Sequence, residues 1–310
     1  MLEDHAIGIK SLDAPIYRIF PRKRFLQALK EKALVLVAPC LWDDPFEVDL
    51  AISVRWSSSA GTAQNIIQNF PSAFAQSWSA TQESDALLRA YSRVHKDRET
   101  RRNVHQCEEG VRVRTTPRKL LQAVIDATSS NNNVSCFIGR VIYMTDDQLM
   151  HEIADLIRRE GFNALSPPLH RAQRLLLKRT AFSTEAEVRI IVAHNIEDTT
   201  ERLLSVKIDP NELFEEIAFD PRLELFEAKE RQDDVRKRGY TGKIHDWQLY
   251  LPRLLEIPMP AGWSPPTQAP VQGLRHLWEP SYHEKRVFPR HVTLDHSYDP
   301  DTSHVQSAEE

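Results

Sequence analysis

Glycine is scarce, at 9 of 310 residues. No glycine-rich run follows a strand-like segment. That excludes a P-loop and a Rossmann fingerprint, both of which need close backbone approach to phosphate. Cys40, Cys107 and Cys136 lie far apart, form no metal-ligand spacing and point to a reducing compartment. The 12 histidines include no HExxH pair, so no metal site is expected. No apolar run approaches the ~20 residues of a spanning helix, so no membrane partner is expected. Basic residues do not outnumber acidic ones (40 against 44, net −4), which removes a general polyanion-binding signature. The opening MLEDHAIGIK is acidic and polar, unlike a secretory signal, and a cytoplasmic bacterial-type protein is the expectation. There is no internal repeat.

What remains is a chain with 41% hydrophobic residues, enough for a sizeable core. Residues 1–14 read as a leader. Ile16 to Phe20 and Ala33 to Ala38 read as strands around a helix from Arg22 to Lys32. Val48 to Trp56 fits strand and helix equally. Phe74 to Ser79 reads as a strand, and Gln82, three residues after Ser79, has capping-box spacing for a helix carrying Leu87, Leu88, Tyr91 and Val94. Gly110 to Thr115 alternates as a strand, Thr116 caps a helix from Pro117, Val134 to Met144 reads as one strand, and Gln148 to Gly161 as a helix. Strands at 202–208 and 216–219 and a charged helix over 223–238 follow. From residue 258 prolines interrupt every pattern, predicting an extended arm over 258–310 that wraps its own domain or a partner. The elements interleave irregularly. The predicted class is α+β, a mixed or split sheet with peripheral helices, as one domain over 15–257.

One stretch stands out, LLLKRTAFSTEAEVRIIVAH, from Leu175 to His194. Glu185, Glu187 and Arg189 alternate with Ala186, Val188 and Ile190 before an apolar β-branched run. Two carboxylates and a guanidinium on one face at the start of a core strand mark a candidate reactive centre. The alternative is a wet strand face with surface ion pairs.

Seven blocks in order, IYRIF, WDDPFE, QSWSATQESDALLRAYS, GVRVRTT, KRTAFSTEAEVRIIV, FDPRL and GYTGKIHDWQLYL, resemble the bacterial domain-of-unknown-function family 2971 over residues ~16–251. The turn departs from that family's usual Phe-Asn-Asp-Pro-Phe-Glu at Trp42 and Asp43 and keeps Asp44, Pro45, Phe46 and Glu47. A more distant resemblance is to mono-ADP-ribosyltransferases of the arginine–serine–glutamate type. Their strand-borne elements correspond in order to Arg18, Ser77-Trp78-Ser79 and Glu185-Ala186-Glu187. Trp78 stands where that family usually has threonine.

The second resemblance implies an ADP-ribosyltransferase-like fold with NAD as substrate. Glu187 would stabilise the ribosyl cation and Glu185 would activate the acceptor. Arg18 would clamp the diphosphate or a ribose, Ser77 would hold the nicotinamide wall, and Trp78 or Tyr91 would stack on a ring. The acceptor would be a protein or nucleic acid, and the role that of a toxin or antiviral effector. Residue by residue there are plainer alternatives. Arg18 pairs with Asp44 or Glu47, Ser79 caps a helix, and Trp78 and Tyr91 belong to the core. Two rival functions remain: a non-catalytic nucleotide- or partner-sensing domain, and a metal-dependent nuclease using Asp44, Glu47, Glu185 and Glu187.

Overall fold

The computed structural model describes residues 2–44, 47, 52–57, 63–68, 72–195, 201–250 and 262. Met1–Arg253 forms one compact unit. The proline-rich stretch read as an arm over 258–310 lies, except for Gly262, outside the described residues.

The strands, in chain order, are β1 (Ala6–Ile7), β2 (Ile16–Pro21), β3 (Ala33–Val37), β4 (Ile52–Ser57), β5 (Ala63–Gln68), β6 (Ala73–Ser79), β7 (Gly110–Thr115), β8 (Val134–Arg140), β9 (Ile142–Met144), β10 (Leu177–Arg179), β11 (Glu187–His194), β12 (Leu203–Lys207), β13 (Glu216–Phe219) and β14 (Lys243–Ile244). Ten of them make a mixed sheet in the order β1-β8-β11-β6-β2-β7-β13-β14, with β3 and β12 branching from β6. Helices lie at its periphery, so the class is α+β. The undecided segment around Val48 to Trp56 contains β4, which pairs with β5 in a separate ribbon. The opening segment read as a leader joins the sheet instead: β1 runs parallel to β8, and Leu12 is buried. Val134 to Met144 is two strands rather than one.

Period-two alternation divides the sheet into two unlike faces. Val188, Ile190 and Val192 join Phe74, Trp78, Val111 and Val113 in the main core, covered by Phe25 and Leu29 of helix Arg22–Glu31 and by Leu120, Leu121 and Val124 of helix Pro117–Thr128. Burying each such large side chain contributes about 1.5–3 kcal/mol. On the other face Ala73, Ala75, Ile191 and Ala193 pack under Ala172, Leu175 and Leu176. The same face carries Leu88, Ala218 and Trp247 in a separate small cluster.

Two local features position the site. Strands β2 and β6 are paired at Tyr17↔Ser79 alone and then part, with β6 turning to pair with β3 at Val37↔Ala75. Gly139, opposite Arg189 on β8, lets the 175–178 segment cross close above. A Cβ at Gly139 would stand 2.2 Å from the Leu176 Cδ1 atom.

Candidate functional site

The cleft opens beside the parting of β2 and β6 and encloses about 530 Å³, open solvent included. Arg18, Ser77, Ser79, Tyr91, Glu185 and Glu187 all line it, as do Tyr17, Gln82, Arg112 and Trp247. The chain thus gathers the predicted arginine, serine and glutamate elements from three separate segments.

The glutamate element differs from the sequence reading. Glu185 is not on a strand: it ends the 3₁₀ helix Thr180–Glu185, and β11 begins at Glu187. Between them Ala186 adopts the left-handed conformation (φ 44°), which costs a non-glycine residue about 1–2 kcal/mol. Neighbouring bonds hold the turn. The Ser79 hydroxyl donates to the Glu185 carbonyl at 2.7 Å, the Ala80 N–H donates to the Ala186 carbonyl at 2.9 Å, and the Glu187 N–H donates to the Tyr143 hydroxyl at 2.9 Å. Ser79 therefore pins the glutamate turn and also accepts from the Thr81 N–H. It is not the helix cap that its spacing to Gln82 suggested. That cap is Ser84, and the helix runs from Asp85 to Tyr91.

Beneath the turn lies a buried ion network. Lys178 Nζ donates to Glu185 Oε2 and to Glu187 Oε1, each at 2.7 Å. Arg189 donates from Nε to Glu187 Oε2 at 2.6 Å, from Nη2 to Glu47 Oε1 at 2.5 Å and from Nη1 to the Leu175 carbonyl at 2.6 Å. Its guanidinium also lies 4.6 Å from the Trp42 ring centroid. The alternation of Glu187 with Arg189 is therefore a buried pair rather than a wet face, with Arg189 only 1% exposed.

Three carboxyls, Glu47, Glu185 and Glu187, face two cations, Lys178 and Arg189. Burial, then the hydrogen bond that protonated Glu185 donates to Glu187, push Glu185 up to about 7 against the pull of Lys178. Burial alone would raise Glu187. The Glu185 hydrogen bond and the charges of Arg189 and Lys178 outweigh it and hold Glu187 down to about 2. The environment thus separates the two carboxyls into a proton carrier and a fixed anion.

Arg18 is not on a strand next to β11, because β6 lies between. By register it stands opposite Val113, on the core side of β2. It reaches the cleft because the strands part there. Its Nη1 donates to the Ser77 carbonyl, filling a rung that the ladder lacks, and its guanidinium lies 5.1 Å from the Phe20 ring centroid. It pairs with neither Asp44 nor Glu47: Asp44 is held by Arg179 at 2.9 Å and Glu47 by Arg189. These pairs also take up the carboxylates that a shared nuclease cation would require, and the described residues form no cluster of metal-ligating side chains. Trp78, expected to stack on a ring, lines the cleft and also packs its indole into the main core. It is 2% exposed, donates to Gln76 at 3.0 Å and meets Phe20 edge-on. Tyr91, 47% exposed, lines the cleft.

The sequence reading missed Tyr17, Gln82, Arg112, Tyr143 and Trp247. For Arg112 a signal was present: the VRVR alternation of β7 places both arginines on the face opposite the core valines. Tyr17 lies one residue from Arg18 and pairs in register with Ser79, which only the sheet order reveals.

No family model, curated protein or solved structure matches the chain. No helix among the described residues is long and apolar enough to cross a membrane.

Proposed function

We propose that the cleft is an ADP-ribosyltransferase-like site that binds NAD and breaks its nicotinamide–ribose bond. The observation that carries this reading is the carboxyl pair lining the cleft, Glu185 and Glu187, joined through Lys178. As the C1–N bond breaks, its electron pair leaves with neutral nicotinamide and the ribose becomes oxocarbenium-like. Glu187, anionic at neutral pH, gives the cleft a fixed negative charge near that centre. The acceptor hydroxyl or water then bonds to C1, and its proton passes to ionised Glu185, whose pKa near neutrality suits proton transfer. Ser77 and Tyr91 would wall the nicotinamide end. The fold type and the role as toxin or defence effector belong to the same proposal.

The test is nicotinamide release from NAD by the full chain, with lysate protein or nucleic acid supplied as acceptor. Release largely lost in a folded Glu187→Gln variant, with Glu185→Gln weakening transfer to the acceptor more than NAD hydrolysis, supports the reading. A second reading, non-catalytic nucleotide sensing, is favoured by one observation: both Glu187 oxygens are already bonded to protein cations. NAD binding by calorimetry without nicotinamide release would select it.

A further inference from the structure

Three residues of the cleft carry buried N–H donors with no acceptor among the described residues: Arg18 Nε, Arg112 Nη2 and Trp247 Nε1. A buried donor left without a partner costs about 1–3 kcal/mol, more when charged, so such atoms are uncommon in a finished site. Two of the three lie together. The Arg112 guanidinium is 4.5 Å from the Trp247 ring centroid and 5.5 Å from that of Tyr17, in contact with both aromatic rings. Its Nη1 donates to the Gln82 carbonyl at 3.1 Å. The nearest carboxylate, Glu216, stays 3.7 Å from Nη2, beyond hydrogen-bond reach, and its other oxygen is held by Lys243 at 3.0 Å. Arg112 is thus a cation at the cleft, with one edge lacking an acceptor and an indole N–H donor beside it.

We propose that Arg112 and Trp247 form an oxyanion subsite that takes a phosphate group of the ligand. An oxyanion supplies the acceptors that Nη2 and Nε1 lack, and a guanidinium with an in-plane donor free is the group that recognises phosphate by geometry as well as charge. This rests on the reading of the cleft as a nucleotide site. It adds Arg112 to the diphosphate contact that the resemblance assigns to Arg18.

The experiment titrates the full chain, Trp247→Phe and Arg112→Gln with ADP-ribose and with inorganic pyrophosphate by calorimetry, and measures nicotinamide release separately. Trp247→Phe removes one N–H while keeping a ring. It should weaken ADP-ribose binding roughly 3–10-fold, and Arg112→Gln roughly 30-fold or more, as expected for hydrogen bonds to a charged group. Pyrophosphate binding with the same sensitivity shows that the oxyanion itself is recognised, whereas sensitivity for ADP-ribose alone shows that the nucleotide is. Either supports the subsite. Wild-type protein that binds neither ligand, or Trp247→Phe that binds ADP-ribose as tightly as wild type, overturns it. A thermal melt controls for folding, and should Arg112→Gln not fold, Trp247→Phe carries the test. Sensitive ADP-ribose binding without nicotinamide release keeps the subsite and ends the cleavage reading. Release with insensitive binding does the reverse.

Discussion

Lys178 donates to Glu187 at 2.7 Å, and the same ammonium donates to Glu185 at the same distance. One cation therefore ties together two carboxyls that a left-handed residue has turned toward each other. Lys178→Met should leave both carboxyls, and Glu47 beside them, without that charge. Breaking such a buried pair costs about 3–5 kcal/mol. The check is the urea midpoint with an unchanged slope. A loss below ~1 kcal/mol, the range of surface ion pairs, would show that the network does not hold the turn.

Glu185, raised to about 7, binds its proton more tightly folded than unfolded. Its contribution to stability is complete below its ordinary value of 4.5 and is lost as pH rises through about 7. Glu187, lowered to about 2, acts in the opposite sense: its contribution is present above 4.5 and lost as pH falls through about 2. Glu185→Gln mimics the protonated form permanently. Wild type should therefore lose melting temperature relative to the variant between pH 5 and 8, with the variant the more stable above pH 7. Parallel curves of melting temperature against pH would remove the proton-carrier assignment.

Ala186 has a φ that glycine adopts freely and β-branched residues do not. Ala186→Gly should stabilise the fold by up to ~1 kcal/mol, about 2–4 °C in melting temperature. Ala186→Val should destabilise it and displace Glu185, so nicotinamide release should fall more steeply than stability. A valine variant as active as wild type would mean that the turn geometry is immaterial to the site.

Tyr91 is half exposed, so Tyr91→Ala should change stability by no more than about 0.5 kcal/mol. If its ring stacks on a ligand, the same variant should weaken NAD binding by roughly 5–10-fold, the worth of an aromatic pair. Unchanged NAD affinity in calorimetry would remove Tyr91 from the site.

The sequence revealed those features that depend on local periodicity. Strands β2, β6, β7 and β11 were legible because alternation or β-branched runs mark a half-buried sheet, and the Thr116 cap was legible because proline follows it. Glu185 and Glu187 were legible as candidates because two carboxylates precede an apolar β-branched run, and Arg18, Ser77 and Ser79 through the resemblance to arginine–serine–glutamate transferases. What escaped was set by tertiary structure. The pattern Glu-x-Glu looks the same whether its middle residue is a pleat or a left-handed turn, and only the bonds from Ser79 and Ala80 select the turn. Trp78 is a core residue because its register opposite Val188 sends it to the core face. Residues 1–14 lack a strand pattern because β1 is two residues long and borrows its order from β8.

The parting of β2 from β6 makes the sheet two panels joined along a seam. At that seam the ladder offers one register pair, Tyr17↔Ser79, and the Arg18 side chain supplies the next link through the Ser77 carbonyl. Arg18, Tyr17 and Arg112 belong to one panel, and Ser77, Ser79 and Glu187 to the other. Shear between the panels would change the width of the cleft, and the main core that Val188 and Trp78 share with Val111 and Val113 opposes it. The amides flanking the seam should exchange with deuterium sooner than those of β11, whose neighbours on both sides are paired along its length.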